Sequence, residues 1–315
     1  MLYKNDKNDD EISNKYVLDY ENKSINTTKV IGVIVTVLIF AACLIGVIYF
    51  TMNKAIDKNK ISSIENTSVN ETGTEITAVS VKVYPHSGEK IMNSFLPQEN
   101  PNAQDEIKDL YHSSEKNVYF TFDDGPSTTI TPKLLDLLKE ENVPATFFVL
   151  GKCVEDHPEL VKREFDEGHF VANHGYTHSY ASIYKSSDAV YNEYIQCEKA
   201  VQTALDNPNY HTRLFRFPGG SSGGRYHNLK QQAKDYMWSK GIANTNWNAL
   251  NGDAEGVKGA NNLYNRMVET VGRQGTVILL MHDAADKRDT LEYLPRAIQY
   301  FRDRGYTFKN FYEIY

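Results

Sequence analysis

Hydrophobic and polar positions along the chain fall into three regimes. From Val30 to Phe50 runs a stretch of 21 residues without a single charge. As a helix it would rise about 30 Å, the thickness of a hydrocarbon core, and it lacks the polar face that a buried soluble helix carries. The run therefore predicts an uncleaved membrane anchor over 30–50, behind a tail at 1–29. A signal peptide fits less well: the run follows 29 mostly polar residues, exceeds the usual ~7–15 residue signal core, and has no small-x-small pattern behind it. The second regime, 51–115, is rich in Asn, Ser, Thr, Glu and Lys, as in SSIENTSVNETGTEIT, which is the composition of a stalk or linker without a core. One alternating piece, AVSVKVYP, predicts at most a short strand.

The third regime, 116–315, reads as one domain. Short β-branched and aromatic runs (NVYFTF, ATFFVL, HFVAN, RLFRF, IANTNW, TVILLMH, YTFKNF) predict seven strands. Helical periods lie between them. Thr131-Pro132 offers an N-cap and a first-turn proline, Pro158 opens the next helix, and others begin near Ser187, Asn228, Gly259 and Asp289, with Gly241 and Gly305 as stops. Strands alternating with six helices are the signature of an α/β domain whose parallel βα units close as a barrel, with a doubly wound open sheet as the structural alternative.

The chain has 315 residues, 41% of them hydrophobic, and a mean hydropathy of −0.51, so outside the anchor it is water-soluble in character. A net charge of −7 without a basic stripe argues against nucleic acid as a partner. Nothing in the pattern points to a protein partner. Three cysteines are too few for a disulfide framework: Cys43 lies in the anchor, and Cys153 and Cys197 are either one bridge or two unpaired thiols.

In parallel β/α folds chemistry gathers where strands end, so the residues that follow each run carry the most information. NVYFTF leads into Asp123-Asp124-Gly125, HFVAN into His174 and His178, RLFRF holds Arg216 before Pro218-Gly219-Gly220, and TVILLM leads into His282-Asp283. One carboxylate and two imidazoles make a facial metal set with open positions, which suits catalytic Zn²⁺ better than a closed structural site. The H-x-x-x-H spacing predicts both rings on one side of a helical turn. Adjacent carboxylates on an extended strand end point apart, so Asp123 and Asp124 should divide the work into one ligand and one general base. A third histidine would protonate a leaving group. Each motif alone has an ordinary explanation, as a turn, a solvated helix or a surface cation; together, at successive strand ends, they point to a site. The Gly-rich PGGSSGG lacks the Gly-Lys-Ser/Thr ending of a phosphate loop and reads as a rim loop.

TFDDGPS at 121–127 resembles the first motif of the polysaccharide deacetylases, the carbohydrate esterase family 4 with its NodB-type domain. NHGYTH at 173–178, RFPGG at 216–220 and LLMHD at 279–283 follow in that family's order. The resemblance implies an irregular (β/α) barrel. It implies Asp123 as general base and Asp124, His174 and His178 as ligands of one divalent metal, usually zinc, with cobalt as an alternative. His282 would be the general acid, Arg216 would orient the base, and Leu280 would receive the acetyl methyl, with Pro218 and Gly219 in the substrate rim. Trp247 is either a sugar-stacking wall or core. Two positions depart from the pattern. Gly175 replaces the usual Ser or Thr of H-S/T-x-x-H, and the fourth motif, here IANTNWNALNGDA, has Asn246 where an aspartate is common. Asp253 and Asp283 are the candidates left to tune His282.

With the anchor and a spacer of about 65 residues, the resemblance implies a membrane enzyme with its N-terminus in the cytoplasm and its catalytic domain outside, removing N-acetyl groups from N-acetylglucosamine in peptidoglycan. Lysines do not decide the orientation, because Lys15, Lys23 and Lys29 on one side balance Lys54, Lys58 and Lys60 on the other. Retention of Asp124 favours the metal-dependent branch. A chitin-like oligomer or an exopolysaccharide is the alternative substrate, and an inactive glycan-binding module the alternative class.

Overall fold

The computed structural model describes residues 96–315. The apolar run at 30–50, the tail before it and the spacer up to 95 lie outside the described residues. Among the described residues no helix is long and apolar enough to cross a membrane.

Eight strands form one parallel sheet: β1 (Asn117–Asp123), β2 (Thr146–Val149), β3 (Phe170–Asn173), β4 (Leu214–Phe215), β5 (Ala243–Asn244), β6 (Ala249–Leu250), β7 (Val277–His282) and β8 (Thr307–Lys309). Their order is β5-β4-β3-β2-β1-β7-β6. β8 pairs with the first half of β1, Asn117 to Tyr119, while β2 pairs with its second half, Thr121 to Asp123. The helices are α1 (Ala103–Leu110), α2 (Thr131–Glu140), α3 (Gly151–Asp156), α4 (Pro158–Asp166), α5 (Tyr180–Ile183), α6 (Ser187–Ala204), α7 (His227–Ser239), α8 (Ala260–Val271) and α9 (Arg288–Asp303).

Chain connectivity forces the sheet to curl. Seven flat strands at about 4.8 Å spacing would put the outer two about 29 Å apart. Those two are β5 and β6, joined by only four residues, 245–248, and five extended backbone steps reach no more than about 18 Å. The edges must therefore approach each other. They do not pair, so the predicted barrel is open along the β5–β6 seam: with two residues each, these strands have too little ladder to close it.

Strand alternation separates two cores. Val118, Phe120 and Phe122 of β1, with Val277, Leu279 and Met281 of β7, face the helices and pack with Leu134, Leu138, Leu294 and Phe301. Tyr119, Phe148, Phe170, Ile278 and Leu280 face inward, with Ala103, Ile107 and Phe311. Fully burying one such Phe or Leu contributes about 1.5–3 kcal/mol. The inward set fills the barrel, and Asp123 and His282, next on the same faces, come out above it.

Three local expectations change. The seven predicted strands are joined by an eighth, β6, too short to leave a period in the sequence. Helix α1 sits in the stretch read as spacer, where Ala103 and Ile107 are buried at i and i+4. Its Gln104 serves the open edge as a strand would, accepting from Asn244 N at 2.9 Å and donating to Asn244 O at 3.1 Å. Thr131 does not cap α2; its hydroxyl is committed to Asp283 Oδ2 and Ser127 N. Cys153 and Cys197 are both free thiols.

Candidate metal and catalytic site

Strand register makes the first half of the site. Asp123 and His282 are paired across β1 and β7 at their carboxyl ends, and both side chains point to the inner face. Asp124 would point to the helices if the strand continued. Instead its φ is 75°, in the left-handed region that aspartate tolerates better than most residues, and its carboxylate returns to the rim.

His174 follows β3, and the chain then turns through Gly175 (φ 89°) to His178 (φ 55°). The helical turn expected from the H-x-x-x-H spacing is therefore a loop. Its left-handed residues bring the two rings to 5.3 Å between centroids. Asp124 Oδ1 lies 3.5 Å from His174 Nε2 and 3.4 Å from His178 Nε2. One ligand atom from each of the three residues falls within 4.8 Å of the others.

The fit to a divalent metal rests on which atoms face inward. Asp124 Oδ1 is buried and has no hydrogen-bond partner. His174 Nδ1 lies 2.8 Å from the Arg216 carbonyl, which can only accept, so Nδ1 carries the proton and Nε2 presents a lone pair. Burial holds the His174 pKa below 6.5 even against the raising influence of Asp123 and Asp124, which keeps the ring neutral. Burial raises the pKa of Asp124, but the positive charge around it, from His178 and His282 foremost, outweighs it and brings the carboxyl down to about 2. A carboxylate and a neutral imidazole lone pair facing each other without a donor between them are what a cation requires.

Beside this set, Asp123 Oδ1 accepts from Arg216 NH1 at 2.8 Å, and its Oδ2 lies 3.7 Å from His174 Nε2. Arg216 is fully buried, stacked 4.0 Å from the Phe148 ring centroid. Its fork also donates to Thr121 Oγ1 at 2.8 Å and to the Asn246 carbonyl at 2.9 Å. Such an ion pair fixes the carboxylate in place, and losing either partner leaves the other charge buried alone.

On the opposite side, His282 Nδ1 is 2.7 Å from Asp253 Oδ1. Asp253 Oδ2 accepts from His282 N at 2.9 Å and from Thr290 Oγ1 at 2.7 Å, while Asp253 N donates to Asn251 Oδ1 at 3.0 Å. Burial pulls the imidazolium down, yet Asp253, by charge and hydrogen bond, with Asp124 and Asp123 behind it, raises the His282 pKa to about 9. The ring is thus a held proton donor.

The chain matches the family model for polysaccharide deacetylase over residues 111–237. It is 35% identical over 202 residues to the peptidoglycan-N-acetylglucosamine deacetylase PgdA of Listeria monocytogenes, covering 64% of this chain and 39% of that protein. It thus spans about two fifths of the length of that relative. With the chitooligosaccharide deacetylase of Sinorhizobium fredii it shares 32% identity over 204 residues, 62% of this chain and 89% of the relative. The chain belongs to the polysaccharide deacetylase family. A CE4 esterase structure from Streptococcus mutans superposes on it with a TM-score of 0.60 at 29% identity, covering 66% of this chain and 90% of that one.

The remaining residues of this polysaccharide deacetylase domain surround the site unevenly. Leu280 is buried two positions before His282 on the same inner face. Pro218 and Gly219 lie in the rim loop after Arg216, and their carbonyls accept from Tyr184 OH at 2.6 Å and Lys230 Nζ at 3.4 Å. Trp247 is 3% exposed, with its ring against Gly220 and the Arg216 guanidinium 5.8 Å from its centroid; this is packing, with no face open to stack on a sugar. Asn246, in the place of the familiar aspartate, accepts from Ser221 N at 2.8 Å and so ties the glycine loop to the Arg216 fork. Asp283 turns away from His282 to Thr131 and lies against Gly125. Asp253 had no strand to announce it, because β6 before it is two residues long; recognising Ala249–Leu250 as a strand would have made N-G-D another strand-end signal.

Proposed function

We propose that the chain is a divalent-metal-dependent hydrolase that removes N-acetyl groups from N-acetylglucosamine residues of peptidoglycan. The observation that carries the reading is the convergence of the unpaired Asp124 Oδ1 and two imidazole Nε2 atoms, flanked by the Asp123–Arg216 and His282–Asp253 pairs. Zinc, with cobalt as the alternative, would be held by Asp124, His174 and His178, where it would polarise the acetamide carbonyl and acidify water.

The protein groups divide the proton transfers. Asp123, with Oδ1 occupied by Arg216, takes the proton of the attacking water at Oδ2. The bond from Arg216 fixes which carboxylate oxygen is left free to act as the base. His282, its Nδ1–H held by Asp253, gives the Nε2 proton to the amide nitrogen as the C–N bond breaks. Acetate and a free sugar amine result. Leu280 in this reading receives the acetyl methyl, and Pro218 and Gly219 border the sugar.

Two features support peptidoglycan as the polymer, the predicted anchor and spacer, which would hold the domain beside a wall, and the likeness to the Listeria enzyme; the retained Asp124 favours N-acetylglucosamine over muramic acid as the sugar. The likeness to the Sinorhizobium enzyme over 89% of its length supports a chitin-like oligomer as the second reading. Acetate release from purified peptidoglycan and from N-acetylglucosamine oligomers, compared at equal zinc, separates them: faster release from the oligomers overturns the peptidoglycan assignment. External placement is tested by protease on intact cells, which should remove the C-terminal domain; a protected domain contradicts it.

A further inference from the structure

The loop between the two histidine ligands is held by a residue outside every motif. Gly175 N donates to Asn173 Oδ1 at 2.9 Å. Tyr176 N and Thr177 N both donate to Glu193 Oε2, at 2.8 and 2.6 Å, and the Thr177 hydroxyl donates to Glu193 Oε1 at 2.7 Å. The loop carbonyls are met from the other side, Gly175 O by Gly151 N at 2.9 Å and Tyr176 O by Lys152 N at 3.2 Å. Glu193 lies in α6, only 6% exposed. Burying a carboxylate is costly, and the compensation here comes from three donors on two consecutive loop residues. The next residue on α6, Tyr194, accepts from Asn173 Nδ2 at 3.0 Å, so the helix grips both ends of the turn.

We infer that Glu193 is the positioning residue of the metal-binding loop, fixing 176–177 so that His178 faces Asp124 before any metal arrives. The inference rests on the metal reading proposed above. It also explains how the loop does without a side chain at 175. That position has φ 89° and a Cβ there would sit 3.5 Å from Glu193 Oε2, so the support enters from the helix rather than from the loop itself. A glutamate at mid-helix looks like a solvated surface charge in the sequence; its burial against three loop donors sets it apart.

The test measures the zinc dissociation constant of the metal-free full chain by competition with a chromophoric chelator, together with hydrogen exchange at the Tyr176 and Thr177 amides. Glu193→Ala should weaken zinc by roughly 10–100-fold, the usual effect of losing a partner behind the ligands, and speed exchange at both amides. Glu193→Gln should stay within a few-fold of wild type, because its amide oxygen still accepts from both backbone N–H groups and Thr177 Oγ1 can accept from its NH₂. Unchanged affinity and exchange in Glu193→Ala overturns the inference. Should that variant not fold, Thr177→Val removes the hydroxyl bond to Glu193 together with the one that hydroxyl accepts from Ser179 N at 3.1 Å: faster exchange at the Tyr176 and Thr177 amides with several-fold weaker zinc binding supports the inference, and unchanged exchange and binding overturn it. A wild-type chain that binds no zinc contradicts the metal reading instead, and the exchange measurement still decides whether Glu193 holds the loop.

Discussion

Asp253→Asn removes one charge from the buried pair behind His282 while nearly keeping its shape. In the wild type the pair lifts the imidazolium from 6.5 to about 9 against the pull of burial, a preference on the order of 3 kcal/mol at about 1.4 kcal/mol per pH unit. Asp253 is the largest of the raising influences, so without it the buried ring should titrate at 6.5 or below. The variant also turns an NH₂ group toward His282 N, now 2.9 Å from Asp253 Oδ2, or toward the ring. A general acid must be protonated, so the alkaline limb of kcat for acetate release should move acidward by about two pH units. The rate at pH 8 should fall by roughly 10–30-fold, in proportion to the protonated fraction of the ring. Stability carries the same sign. A raised pKa contributes stability that is complete below about pH 6.5 and is lost as pH climbs through about 9, so the Tm gap between wild type and variant should narrow over that window. Profiles from pH 5 to 10 at saturating zinc, with the His282 ring followed by NMR, make the measurement. An unmoved alkaline limb in a folded variant would refute the role given to the pair.

Other residues give equally direct expectations. Arg216→Lys keeps a cation but cannot reach Asp123, Thr121 and the Asn246 carbonyl together; losing charged hydrogen bonds worth about 1.5–3 kcal/mol predicts a fall in kcat of roughly 10–150-fold, and wild-type kcat would contradict it. Arg216→Met leaves Asp123 buried without its partner and should cost about 3–5 kcal/mol in denaturant unfolding, against which a change below about 1 kcal/mol would count. Gly125→Ala places a methyl 2.1 Å from Asp283 Oδ2, so it should destabilise the domain by at least about 1–3 kcal/mol, and much less in an Asp283→Ala background; equal costs in both backgrounds would show that the clash is not the cause.

Much of this was legible in the chain because strand ends in a parallel sheet are marked twice, by the apolar run and by the polar group that follows it. That rule finds Asp123, Asp124, His174, Arg216 and His282, and the structure brings them to one rim. His178 shows its limit. The i,i+4 spacing signals that the rings converge, but two left-handed residues, Gly175 and His178, achieve it, and a sequence alone does not give φ. Asp253 was readable only as a candidate because β6 is too short to have a period. Glu193 was invisible because charge alone does not reveal burial. Helix α1 hides in a polar stretch whose apolar signal within the helix is only Ala103, Ile107 and Leu110, and the open β5–β6 seam follows from a four-residue link that no hydropathy pattern reports.

The central claim is that one metal, held by Asp124, His174 and His178, makes this chain a deacetylase. Zinc titrated into the metal-free full chain, with acetate release from an N-acetylglucosamine oligomer recorded at each step, tests it most directly. Activity should rise linearly and level off at one zinc per chain, and Asp124→Ala should show neither binding nor release. Full release without metal, or no release from a chain that has bound one zinc, would contradict the account.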